Sequence, residues 1–234
     1  MISLGCILAL HAGRVAAAEG GTGIREALAG VRLICRTKVL LGAISLDLCA
    51  VLFGGAVALL PIFAKDVLEV GPTGLGFMRT APAIGALLAA FWLARHPIRR
   101  HAGPTLFRAV AAFGASMVVF GLSSEMWLSM LALGVGGAVD MVSVVLRATI
   151  LPLVTPDSVR GRVNAVEMVF ISASNELGAF ESGVAAALIG AVPAVVVGGI
   201  ATIVVAGVWW RLFPALGRVD RVDELRPVRT LPET

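Results

Sequence analysis

Charge is scarce in this chain. Only 15% of its 234 residues are Asp, Glu, Lys or Arg, against 58% hydrophobic, and the mean hydropathy is +0.94. A water-soluble domain of this size needs more polar surface to cover its core, so lipid is the simpler solvent. Cysteine is scarce too. Cys6, Cys35 and Cys49 form no CxxC pair and are odd in number, which argues against a disulfide framework or a zinc site. Cys6 and Cys49 lie in apolar runs, where a free thiol behaves as a small hydrophobe. The only histidines, His11, His96 and His101, fall outside the apolar runs, and no GxSxG motif occurs. An intramembrane serine protease, which six spans would also suit, therefore lacks its base and its elbow. The net charge of +4 is small and no basic block alternates with aromatics, so nucleic-acid binding has little support. The residue pattern predicts an all-α, non-enzymatic membrane protein with no cofactor and no metal, whose first partner is the lipid bilayer.

What the chain has in abundance is long apolar segments. Six are predicted, at roughly 39–62, 74–94, 105–123, 127–150, 163–189 and 191–213. Each approaches or exceeds the ~20 residues a helix needs to cross ~30 Å of hydrocarbon. Helices are the expected form, because backbone groups in lipid must be satisfied within the segment. Residues 39–213 are thus predicted as one six-span domain, with 1–38 before it and a tail at 214–234. Met1–Leu10 is apolar but short; ten helical residues reach about 15 Å, half a bilayer. The preferred reading of this stretch is the end of a preceding helix. A signal peptide is the alternative, but no basic residue precedes the run. Residues 22–37 read as an amphipathic surface helix, with Ile24, Leu28, Val31 and Cys35 on one face and Arg25, Arg32 and Arg36 on the other. A plain solvated linker helix is an equal alternative.

The basic residues fall on one side of this ladder. Arg14, Arg25, Arg32, Arg36 and Lys38 precede the first span. Arg95, Arg99, Arg100 and Arg108 cluster between spans two and three, and Arg147, Arg160 and Arg162 between four and five. Arg211, Arg218, Arg221, Arg226 and Arg229 follow the last. The opposite loops hold only Lys65, and Arg79 lies inside a span. The positive-inside rule therefore places both ends in the cytosol.

An ionisable residue inside a span is costly and is by default a functional hypothesis. Asp47, Asp140, Glu167, Glu176 and Glu181 are the intramembrane acids, with Arg79 and Arg147 as bases. Spans three and six carry no charge in their middles, so spans one, two, four and five are predicted to line a polar cavity while three and six face lipid. In span five, Asn164, Glu167, Ser174, Asn175, Gly178, Glu181 and Ser182 fall within one sector about 120° wide. Ser174, Gly178 and Ser182 also allow close helix approach, so the stripe could serve as glue as well as function. Glu176 lies off the stripe. Asp140 and Arg147 share a face of span four, two turns apart; snorkelling of Arg147 to the headgroups is the alternative reading. Asp47 and Asp140 come out at similar depths in the first helix of each three-helix group, as an inverted repeat would place them. Arg79 and Glu181 are expected at matching depths, as an ion pair or with Arg79 snorkelling alone. Desolvation favours a protonated carboxylate and a nearby cation opposes it, so a buried acid that faces each side in turn can carry a proton. Asp140, Asp47 and Glu167 are the first candidates.

Thr155-Pro-Asp-Ser-Val-Arg-Gly-Arg-Val-Asn-Ala-Val166 resembles the loop between the tenth and eleventh helices of the major facilitator superfamily. Ser174-Asn-Glu-Leu-Gly-Ala-Phe-Glu-Ser-Gly183 is similar to the branch containing the enterobactin exporter and the transmembrane secretion effectors. Asp47 through Pro61 and Gly71 through Ala86 resemble that branch's seventh and eighth helices. Arg95-His-Pro-Ile-Arg-Arg100 departs from the family's usual loop signature. The resemblance implies a six-helix C-terminal half with a 3+3 inverted repeat, in a bacterial inner membrane. It also implies proton-driven export of siderophore-like or amphipathic small molecules. One half offers only half a cavity, so an N-terminal half or a second copy is the expected partner; the alternative is a non-transporting fragment or assembly partner.

If the orientation is right, membrane-impermeant thiol reagents will label cysteines introduced at 95–104 and 155–162 in inverted vesicles and not in intact cells. Labelling of either loop from outside would reverse it.

Overall fold

The computed structural model describes residues 24–98 and 100–220, nearly all of them helical. The predicted stump at Met1–Leu10 and the tail beyond Asp220 lie outside the described residues. Helix α1 (Ile24–Arg36) is followed by α2 (Lys38–Phe53), α3 (Gly71–Arg95), α4 (Ala102–Leu122) and α5 (Met126–Val154). Then come α6 (Arg160–Ile189), α7 (Ala191–Leu212) and a four-residue turn, α8 (Pro214–Gly217). Five of the six predicted segments coincide with α3–α7 to within a few residues, and the first begins with α2 but runs past its end. The tight turn between the last two is made by Gly190, whose φ of +90° and ψ of 157° are open only to glycine.

Two features differ from expectation. The first span is not one helix. After Phe53 the chain passes through Gly54-Gly55, a 3-10 turn at Ala56–Leu59, a short helical turn at Leu60–Ile62 and a π-turn at Phe63–Val67. The Gly-Gly pair and Pro61 carry this break, because each weakens the i→i−4 ladder. The count of spans also changes. Among the described residues, five stretches, 38–67, 71–95, 102–122, 126–154 and 191–212, are long and apolar enough to cross a membrane. Helix α6 has 30 residues, about 45 Å of rise, but holds Arg160, Arg162, Glu167, Glu176 and Glu181. Its length suffices; its composition alone would not select it.

The principal helix contacts run between the first three spanning helices and the last three. Helix α3 lies along α5 and α2 along α6; α4 packs on α5 and α2 on α7; α4 and α7 pack on each other. Exchanging α2, α3, α4 for α5, α6, α7 maps the first four contacts onto one another and the fifth onto itself. That is the pattern of an internal 3+3 repeat. Glycines make the crossings. A Cβ at Gly114 would lie 2.7 Å from the Gly199 carbonyl oxygen, and a Cβ at Gly199 equally 2.7 Å from that of Gly114. Gly85 and Gly137 meet the backbone of Gly134 and Pro82, and Gly178 meets the carbonyls of Val51 and Leu52. In lipid there is no hydrophobic gain from joining helices, so close backbone approach and dispersion must supply the attraction.

Apolar side chains form one cluster at each end of the bundle. The first gathers Leu40, Leu46, Leu106, Ile150 and Val163 toward the basic loops, and the second Leu60, Phe63, Met78, Phe120 and Leu133 at the other end. The outer surface stays greasy: Leu87, Phe180 and Leu188 are 70%, 71% and 78% exposed. Contiguous exposure on that scale suits hydrocarbon and not water.

Helix α1 docks against α6, with Gly30 over the Arg162 carbonyl and Ile34 buried. The buried face is thus rotated from the expected one. Cys35 is exposed beside Arg32 and Arg36, because Gly30 is the residue that admits the α6 backbone.

Gly137→Val drives a side chain into the Pro82 backbone and is expected to destabilise the fold by about 1–3 kcal/mol. Gly161→Ala, where nothing stands within 4 Å, should be near neutral. Thermal unfolding in detergent compares the two; equal melting temperatures would contradict the crossing.

Candidate functional site

Three charged side chains meet inside the basic-end half of the bundle. Arg147 of α5 forms an ion pair with Asp47 of α2 through Nη1, and its Nε lies 3.1 Å from Glu167 Oε1 of α6. The Nη1 contact with Asp47 is a charge contact outside hydrogen-bond alignment. Asp47 and Arg147 are both buried, at 6% exposure each. Each charge is set by an apolar neighbourhood: Leu46, Leu146 and Val166, the residues beside them in sequence, belong to the surrounding core. A lone guanidinium there would carry a desolvation cost of several kcal/mol, so pairing is a condition of its burial. Snorkelling of Arg147 is therefore overturned; it turns inward, where two carboxylates pair with it. Two carboxylates share one guanidinium, leaving a formal charge of −1.

Asp140 lies two turns back on α5, toward the groove. It is exposed to the bundle's open side and joins no ion pair among the described residues. It borders two cavities. One is about 20 Å³, room for a single water, and is lined by Asp47, Asp140, Ser143, Ala50 and Phe113 among others. Asp47 and Asp140, expected at similar depth, both line this cavity. The other is an open groove of about 430 Å³. Its walls come from the break after α2 (Gly54, Gly55), from Pro82 of α3, Asp140 of α5 and Asn175 of α6, with Phe113 and Met117 of α4 as floor.

The expected division of helices holds in part. Spans one, two, four and five do border the groove, but α4 is no lipid-facing bystander. It is the most buried of the five candidate spans among the described residues, and it supplies the groove floor. The polar stripe of α6 splits by environment. Gly178 and Ser182 are buried against the break at Gly55, whereas Asn164, Asn175 and Glu181 are exposed. Glue and open polar surface therefore share one helix. Glu176 is exposed as well, with no ion partner among the described residues. Arg79 and Glu181 are both exposed and form no ion pair; their helices α3 and α6 are not among the closely packed pairs.

Several contributors were not singled out from sequence: Gly54, Gly55, Phe113 and Ser143. The adjacent glycines were the available signal for a helix break. Phe113 and Ser143 gave none, because an apolar aromatic or a lone serine in a span is ordinary. A further tie joins α7 to α2, where Trp209 Nε1 donates to Ser45 Oγ at 2.8 Å.

Removing Arg147 alone, as Arg147→Met, strands two buried carboxylates and is expected to cost about 3–5 kcal/mol. Adding Asp47→Asn and Glu167→Gln should restore most of that. Unfolding in detergent across the three variants measures it; equal stability of the single and triple variants would contradict a coupled triad.

The family profile described as transmembrane secretion effector matches residues 8–232. No curated protein and no solved structure matched the chain. With five apolar spans, an internal repeat and a matched profile over nearly its whole length, the chain is an integral membrane transporter belonging to the transmembrane secretion effector family of the major facilitator type.

Proposed function

We propose that the chain forms a six-helix half of a secondary exporter, the half equivalent to the C-terminal one, that moves amphipathic small molecules out of a bacterial cell in exchange for protons. Siderophore-like compounds are the substrates suggested by its likeness to the enterobactin-exporting branch. The observation that carries the reading is Asp140, an unpaired carboxylate in an open groove, separated by one water-sized cavity from a buried triad with more acid than base. An acid with no cation to hold it charged can accept a proton in an apolar setting. The triad can respond. Protonation of Asp47 leaves Arg147 with Glu167, which loosens the α2–α5 tie while keeping α5 on α6. Protonation of Glu167 does the opposite. A proton thus changes which helices are tied together, which is what a coupled conformational cycle needs.

The basic excess supports both ends facing the cytosol in an inner membrane. The groove is open on one side, and a second six-helix half, whether an N-terminal partner or another copy of this chain, would close it. The domain division at 1–38, 39–213 and 214–234 fits this arrangement, with α1 as the connecting segment.

Proteoliposomes containing the complete assembly test the proposal. Efflux should follow an imposed pH gradient, and Asp140→Asn should remove the gradient-dependent part, a loss of tenfold or more in rate. Gradient-independent flux, or unchanged flux in Asp140→Asn, would overturn it.

A further inference from the structure

The groove has a chemical preference of its own. Its volume of about 430 Å³ lies in the range of drug-sized ligand sites. Most of its lining is apolar, from Val51, Val57, Pro82, Met117 and Leu133. Two lining residues carry polar side chains, Asp140 and Asn175, and Asp140 is the ionisable one.

No cation lines the groove to offset that sign. Arg147, the nearest cation in sequence, is committed to Asp47 and Glu167 and is buried away from the open side. On α6, Glu176 follows Asn175 directly and Glu181 stands six residues on; both are exposed. The exposed arginines of the surrounding helices, Arg79, Arg95 and Arg108, do not line the groove, and neither do Glu176 and Glu181, so Asp140 sets its sign. Helix α2 ends on the groove wall at Gly54, so the negative pole of its dipole lies there too. Phe113 borders both the small cavity and the groove, as Asp140 does. An aromatic face beside a carboxylate in an apolar cleft attracts organic cations, since the ring quadrupole and the acid act with the same sign. An anionic ligand would meet each of these features as repulsion.

We infer that the groove binds a lipophilic organic cation, with its charge held by Asp140 and the face of Phe113 and its apolar groups against the surrounding walls. The inference rests on the export reading above and narrows its amphipathic substrates to cationic ones.

Tetraphenylphosphonium and tetraphenylborate share size and shape and differ in the sign of charge, which isolates that variable. Equilibrium binding of each is measured in membrane vesicles carrying the full chain, with no ion gradient, against vesicles lacking it. Saturable binding of the phosphonium is expected, with only unsaturable partition of the borate. Asp140→Asn should weaken phosphonium binding about tenfold or more, and Phe113→Leu about fivefold. Asp140→Lys should turn the preference toward the borate, a gain that misfolding cannot imitate. The inference is overturned by saturable borate binding to the unaltered chain, by no saturable binding of either ion, or by phosphonium affinity unchanged in Asp140→Asn. Binding without gradient-driven flux would sink the proton-coupled export reading and leave the cation site standing. Flux of neutral or anionic solutes without phosphonium binding would do the reverse.

Discussion

A guanidinium cannot sit alone in the interior of a membrane protein, and the arrangement of this bundle follows from where Arg147 finds its partners. Asp47 and Glu167 lie on two other helices, α2 and α6. Helix α5 must therefore stand where both are in reach, and the apolar cluster around Leu46, Leu146 and Val166 closes over the result. Such an ion cluster adds little net stability compared with a well-packed apolar replacement. What it supplies is selection among arrangements, because any register that separates the three charges is expensive.

Backbone contact does the remaining work. The reciprocal approach of Gly114 and Gly199 at the α4–α7 crossing, and the matched glycine contacts along α3–α5 and α2–α6, hold helices at distances that larger residues would forbid. The two devices divide the molecule. Glycine crossings fix the positions of α3, α4 and α7 without charge. The triad ties α2, α5 and α6, the three helices whose protonatable groups can change state. The α2 break sits where the two regions meet, with Gly55 against Gly178 and Ser182 on one side and Gly54 against Phe113 on the other.

Much of this was legible in the sequence because lipid imposes simple rules. Length and apolarity located α2 through α7, and the cost of intramembrane charge pointed to Asp47, Asp140, Arg147 and Glu167 before any geometry was known. Partnership was harder to read. Arg147 at a helix end looked able to snorkel, since helical spacing reveals which residues share a face and not what faces them. Arg79 and Glu181 match in depth alone, but depth fixes one coordinate of three, and their helices α3 and α6 are not closely packed. The break after Phe53 was hidden because Gly-Gly is also common in unbroken membrane helices. The offset of the α1 face at Cys35 came from one glycine, Gly30, whose lack of a side chain lets the α6 backbone in.

The triad and the groove are not independent. Asp140 and Arg147 lie two turns apart on one helix, close enough that a free arginine could swing toward the aspartate. It does not, because Asp47 and Glu167 hold it in the core, where withdrawing a paired guanidinium would strand two acids. Asp140 thus stays without a cation, and the groove stays electronegative. An acid in Arg147's own shell protects the reactivity of an acid outside it. On this view the excess of carboxylate over arginine inside the bundle is the feature that makes the groove selective, and the pairing that looks purely structural sets the charge that a ligand or a proton would meet.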